Sequence, residues 1–204
     1  RAMTEAVKQA PDNPSYNFAL GTLASLAQDP SNGLPYLLKY HSMRPGDQAG
    51  VLALGAAYFR GKDFDNARIW LQRATASAVT AAEAHYYLGR VLREENESEK
   101  ALAELNQSSQ LKPNQPEVLA ELGSVYMQMH DFDRARHELD RALQLDPNSY
   151  SANFALLQLY AIRHDPRRTA QARKFDQIKG ENDEQYRKTM RVLEIRPITV
   201  AEKH

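Results

Sequence analysis

The sequence of 204 residues has no cysteine and no net charge, its 26 basic side chains matching its 26 acidic ones. Without cysteine there are no disulfides, no thiolate metal sites and no thiol nucleophiles. Balanced charge removes the simplest route to nucleic acid, which needs a surplus of Lys and Arg against phosphate. Long apolar runs are missing as well. The longest, Val51 to Phe59, is interrupted by Gly55 and is far too short to cross a bilayer. No stretch shows the period-two alternation of a half-buried strand. The hydrophobic fraction of 42% is that of an ordinary folded domain.

Signatures of chemistry are equally scarce. The chain has no His-Glu-x-x-His pair, no Gly-x-Ser-x-Gly elbow, no phosphate-cradling glycine loop and no dinucleotide fingerprint. His130 and His137 lie near Asp131, Asp133, Glu138 and Asp140, but no two histidines stand at i, i+4. They read as solvated surface groups, because a metal site needs three or four converging ligands. The run Glu94, Glu95, Glu97 and Glu99 reads as a solvated helix start, with no apolar pocket to shift a pKa. No catalytic residue, metal or cofactor is expected.

What the sequence does contain is a repeat of 34 residues. Leu20-Gly21, Leu54-Gly55, Leu88-Gly89 and Leu122-Gly123 recur at that step, as do Leu37, Leu71, Leu105 and Leu139. Ala67, Ala101 and Ala135 follow in the same register. Pro11, Pro45, Pro113 and Pro147 close the units, and Val79 stands where one more proline would fall. Within each unit the apolar residues fall at i, i+3, i+4 and i+7, the pattern of two amphipathic helices. Asn13-Pro14, Gln115-Pro116 and Asp165-Pro166 place proline at a first helical position, and Asp63 and Asp131 are good N-caps.

The combined pattern resembles the tetratricopeptide repeat family, and Pro116 to Ser149 is its best unit. That unit carries Leu119, Leu122, Gly123, Tyr126, Ala135, Leu139, Ala142 and Pro147 in the family's order. The resemblance implies an all-α, right-handed superhelical solenoid of antiparallel helix pairs with a C-terminal capping helix. Residues 1–13 read as the second helix of a truncated repeat, which predicts a piece of a longer protein. Full repeats follow at 14–47, 48–81, 82–115 and 116–149. A degraded repeat takes 150–180, a capping helix 181–195 and a tail 196–204. Gly180 is expected to separate a helix near 167–179 from another near 183–193. In the first full repeat Tyr40 replaces the family's Ala and Pro35 enters the second helix, so local widening or a shortened helix is expected there.

By the family's geometry the first helices line a concave groove. They would turn Phe18, Leu52, Phe59 and Tyr86 toward it, with Arg60, Arg90 and Arg93 on or beside it. Phe154 and Met127 add apolar area in a farther half made more polar by Glu117, Ser124, Gln128 and Gln158. The implied function is a non-catalytic scaffold that holds a peptide segment or helix of a protein partner in the groove. The expected ligand has apolar anchors and one or more acids and spans the first three full repeats. Two alternatives stand beside it: an accessory domain of a protein with an upstream catalytic or assembly domain, and a self-association module working through open array ends. No nucleic acid and no membrane span is expected. Arg163 to Arg191 carries nine basic and five acidic residues interleaved at helical spacing, which reads as a solvated cap.

Overall fold

The computed structural model describes residues 7–26 and 30–192. Residues 1–6 of the truncated repeat and the 196–204 tail lie outside the described residues, as do 193–195 of the expected cap. The described chain is all-helical, with residues 7–9 helical ahead of the first full pair. It divides into two compact units, the first holding the chain to Thr80 together with the residues from Glu184 on, and the second running from Ala81 to Asp183.

The first unit contains α1 (Pro14–Ser25), a short 3-10 turn (Pro30–Gly33), α2 (Leu34–Met43), α3 (Gln48–Arg60) and α4 (Phe64–Ala74). The second contains α5 (Ala81–Glu94), α6 (Ser98–Leu111), α7 (Pro116–Gln128), α8 (Phe132–Leu145), α9 (Tyr150–Ile162) and, as far as Asp183, α10 (Arg168–Val192). Helix starts follow local chemistry. The Asn13, Asp47, Asp63, Asp131 and Ser149 side chains each accept a backbone N–H of the first turn, satisfying donors that have no partner inside the helix.

One contact repeats in every full pair and explains the 34-residue register. A Cβ built on Gly21 would lie 2.7 Å from Cγ of Leu37, and the same holds for Gly55 against Leu71 at 2.7 Å. In the second unit Gly89 meets Leu105 at 2.6 Å and Gly123 meets Leu139 at 2.8 Å. The glycine lets the first helix sit directly on the leucine of the second. All four leucines are fully buried, and each such burial contributes roughly 1.5–3 kcal/mol. The fifth position loses the device, with Leu157 in place of glycine and Arg173 in place of leucine.

The turns inside the pairs share a period too. Lys62, Asn96, His130 and His164 all have φ between 50° and 61°, and they recur every 34 residues. Each reverses the chain between a first and a second helix. His130 is thus accounted for by a turn that tolerates polar residues in the left-handed region.

Two expectations need correction. Gly180 does not interrupt a helix: α10 runs unbroken from Arg168 to Val192. A Cβ at Gly180 would meet nothing within 4 Å, and a lone helical glycine costs only about 1 kcal/mol against alanine. The long helix also starts later than Asp165-Pro166 suggests. Asp165 accepts the Arg167 backbone N–H at 2.9 Å, holding Pro166 and Arg167 in a turn before the helix begins. In the first unit α2 is short, at 10 residues, with Pro35 in its first turn. The shortened helix expected there is thus seen, and the Tyr40 ring lies against Gly50 of α3.

Candidate functional site

Within the second unit the first helices of successive pairs, α5, α7 and α9, lie side by side. Residues one repeat apart therefore stand next to one another on a common face. Arg90, Ser124 and Gln158 make one row across the three helices, Arg93, Met127 and Ala161 a second, and Glu94, Gln128 and Ile162 a third. Together with Ala120 and Phe154 they line an open cleft of about 760 Å³. A smaller recess of about 440 Å³ continues it toward the starts of α5 and α7, lined by Glu83, Tyr86, Lys112 and Glu117 and sharing Arg90.

The cleft is there because the middle helix is low. At the register of Tyr86 and Phe154, α7 has Ala120; at the register of Arg90 and Gln158 it has Ser124. Large side chains on either side leave a gap over two small ones. Tyr150, Phe154 and Ile162 are 43%, 42% and 52% exposed at its α9 side, a local concentration of apolar surface facing solvent.

The polar wall is built around one buried carboxylate. Glu121 of α7 is only 9% exposed in its side chain. Arg93 Nε donates to it at 2.9 Å, and Arg90 Nε lies 3.1 Å from its other oxygen. The second arm of Arg93 donates to Glu94 at 2.7 Å. An unpaired buried carboxylate would cost several kcal/mol in lost hydration, about the size of effect that two converging guanidiniums offset. The Arg90 guanidinium also lies 5.4 Å from the Tyr86 ring centre. Burial pushes the Tyr86 hydroxyl well above the ordinary tyrosine pKa, against the opposing pull of Arg90, so it stays a neutral donor. Gln128 fixes the far end: its Nε2 donates to the Arg93 carbonyl at 3.2 Å and to Asn96 Oδ1 at 2.6 Å, and Ser98 Oγ donates to its oxygen at 3.2 Å.

The residues singled out in the sequence divide between the units. Tyr86, Arg90 and Arg93 come together in the second unit, as just described. In the first unit Phe18 packs against the buried cluster of Leu37, Leu54 and Ala57, its ring 4.9 Å from Tyr40. Phe59 is 8% exposed and faces Phe64 at 6.1 Å, so it serves the core more than an open surface. Leu52 and Arg60 are partly exposed. Both arginines reach Glu121, which lies a helix pair further on. No local spacing signals that partner. The apolar side made by Tyr150 and Ile162 was also missed, although Ile162 shares the register of Glu94 and Gln128 and could have been found by extending the repeat.

Among the described residues no three His, Asp or Glu side chains stand close enough together to hold a metal ion. Nor is any described helix long and apolar enough to cross a membrane.

Two family models, both described as tetratricopeptide repeat, match residues 27–81 and 92–160. No curated protein matches the chain. Among solved structures it is similar to pilF of Pseudomonas aeruginosa, with 15% identity and a TM-score of 0.66 over 88% of this chain and 86% of that one. Yeast Tom70 is matched at 18% identity and a TM-score of 0.64, over 95% of this chain and 42% of Tom70. YrrB, described as a TPR protein with an unusual peptide-binding site, is matched at 18% identity and a TM-score of 0.55, over 88% and 93%. At such identities the likeness is one of fold. The family matches, the recurring glycine–leucine contact and the periodic left-handed turns agree: the chain belongs to the tetratricopeptide repeat family.

Proposed function

We propose that the second unit holds a segment of another protein in the cleft across α5, α7 and α9, with a large apolar side chain seated over Ala120 and Ser124. The chain's repeats support an interaction scaffold, and no catalytic family is indicated. One observation carries the reading: the gap left by two small residues between Arg90 and Arg93 on one side and Phe154 and Gln158 on the other. Buried apolar anchors framed by aromatics and arginine are the usual core of a protein interface. The neighbour YrrB, described as peptide-binding, supports a segment as the form of ligand.

This reading puts the site within the second unit rather than across the first three full repeats, and the packing of Phe18 and Phe59 into the first unit's core supports it. The test is affinity capture of partners from the source organism, followed by titration against variants. Ser124→Trp fills the gap, and Phe154→Ala removes its apolar side. Each should weaken binding by about 1–3 kcal/mol. Arg141→Ala, on α8 and paired with Glu138, should leave it unchanged. Wild-type affinity in both cleft variants would place the partner elsewhere.

A further inference from the structure

The charges of the cleft are matched among themselves, and that bears on the charge of what it binds. Cleft and recess are lined by three cations, Arg90, Arg93 and Lys112, and four carboxylates, Glu83, Glu94, Glu117 and Glu121. Both arginines are turned onto Glu121, and Arg93 reaches Glu94 as well. Glu83 and Glu117 are exposed where the recess opens. Read along the helix alone, Arg90 and Arg93 predict an acidic ligand. Folding brings Glu121 against them from the next pair and, with Glu94, cancels their charge.

We infer that Glu121 is the residue that sets the charge preference of the cleft, so that the bound segment carries its apolar anchor beside Lys or Arg rather than beside Asp or Glu. The inference rests on the cleft being the binding site. A ligand carboxylate would have to compete with Glu121 for guanidiniums that already satisfy it. Success would strand a carboxylate that is nine-tenths buried, and failure would set two like charges together, which interfaces avoid. A ligand cation can instead turn to Glu83 and Glu117, exposed at the recess, where the net charge of the combined lining is negative. The arginines then act as walls: their stems and planar faces border the apolar gap, and Glu121 keeps them in place.

The test is selection of phage-displayed random peptides on the wild-type chain, with Ser124→Trp as the subtraction control. Peptides recovered on wild type and lost on Ser124→Trp should carry a large apolar residue and an excess of Lys and Arg over Asp and Glu. Synthetic peptides from that pool should lose about tenfold in affinity when a basic residue beside the anchor becomes Glu. On Glu121→Gln the recovered pool should shift toward Asp and Glu. Because that variant touches a buried pair, Glu94→Gln provides a second reading at the exposed rim, with a smaller shift in the same direction. An acid-rich wild-type pool that is still lost on Ser124→Trp overturns the inference and leaves the cleft standing. Pools of unchanged charge on folded Glu121→Gln and on Glu94→Gln also overturn it. Failure to recover anything that depends on Ser124 overturns the cleft reading, and the inference with it.

Discussion

A Cβ on Gly50 would lie 2.6 Å from Cε1 of Tyr40, so the glycine of α3 and the tyrosine of α2 are fitted to one another. Tyr40 is 7% exposed, its ring packs on Phe18 and its hydroxyl donates to Asp47, the N-cap of α3. Gly50→Ala should therefore cost about 1–3 kcal/mol through overpacking. In a Tyr40→Ala background the added methyl has room, and its penalty should shrink by about 1 kcal/mol or more. Denaturant titration of the four members of this cycle measures the coupling. Additive penalties would show that the ring yields freely.

The helix-crossing contact gives a second prediction. Gly89→Leu would drive a side chain into Leu105, already 2.6 Å from a bare Cβ, and toward the Ala101 carbonyl at 3.2 Å. The cost should be about 1–3 kcal/mol or more. Repeat arrays lose structure locally before they lose it globally. Hydrogen exchange should rise first between Val91 and Leu111 while Leu37, Leu54 and Leu71 of the first unit keep their protection. A uniform rise would mean that the chain unfolds as a single block.

These two cases show what the sequence carries and what it hides. Gly89 and Leu105 lie on a repeat visible by counting, since every pair spends the same residues on the same crossing. Tyr40 is visible as a departure, but its compensation at Gly50 is not, because that glycine follows no repeat. The cleft divides in the same way. Arg90, Ser124 and Gln158 are aligned by period alone, which made this face legible. Glu121 faces the arginines through the packing of α7 on α5, and only that packing makes the wall electrically neutral. Gly180 misled because a glycine weakens a helix without ending it when its surroundings are open.

His41 makes the first unit sensitive to acid. Its ring meets the edge of Trp70 at 4.9 Å, and Arg73 lies 4.4 Å over the same indole. Its Nδ1 is buried without a hydrogen-bond partner among the described residues. Burial first, and the nearby Arg73 charge second, lower its pKa below the ordinary value of 6.5. The folded state thus rejects a proton that the unfolded chain accepts. Stability is full above about pH 6.5 and falls as the pH drops through the ordinary histidine range toward the folded value. Hydrogen-exchange protection factors over α2 and α4, which are corrected for the intrinsic pH dependence of amide exchange, should fall as the pH drops below about 6.5, and His41→Gln should flatten that dependence. An unchanged slope in His41→Gln would assign the sensitivity to another group.

The two buried asparagines at equivalent positions predict different costs. Asn17 and Asn153 are four repeats apart and both fully buried. Each donates from Nδ2 to two backbone carbonyls before its helix, Pro11 and Asn13 at 2.8 and 2.9 Å for Asn17, Pro147 and Ser149 at 3.1 and 2.8 Å for Asn153. Their oxygens differ. Asn153 Oδ1 accepts from Gln171 of α10 at 3.0 Å, and the same amide donates to the Asn153 carbonyl at 3.1 Å. Asn17 Oδ1 is buried without a partner among the described residues, and Pro35 stands in the register of Gln171. Gln171 is thus what ties the last helix to α9, alongside Phe175, whose ring packs at 4.9 Å on Tyr150 and 5.3 Å on Phe154. Gln171→Met keeps the bulk and removes both donations, leaving a buried acceptor unsatisfied at a cost of about 1–3 kcal/mol. Exchange should rise in α10 first. Asn153→Ala should also destabilise more than Asn17→Ala, because it breaks one more good hydrogen bond and strands the glutamine. Equal losses in the two alanine variants, with α10 as protected as before in Gln171→Met, would mean that the aromatic contacts alone hold the last helix in place.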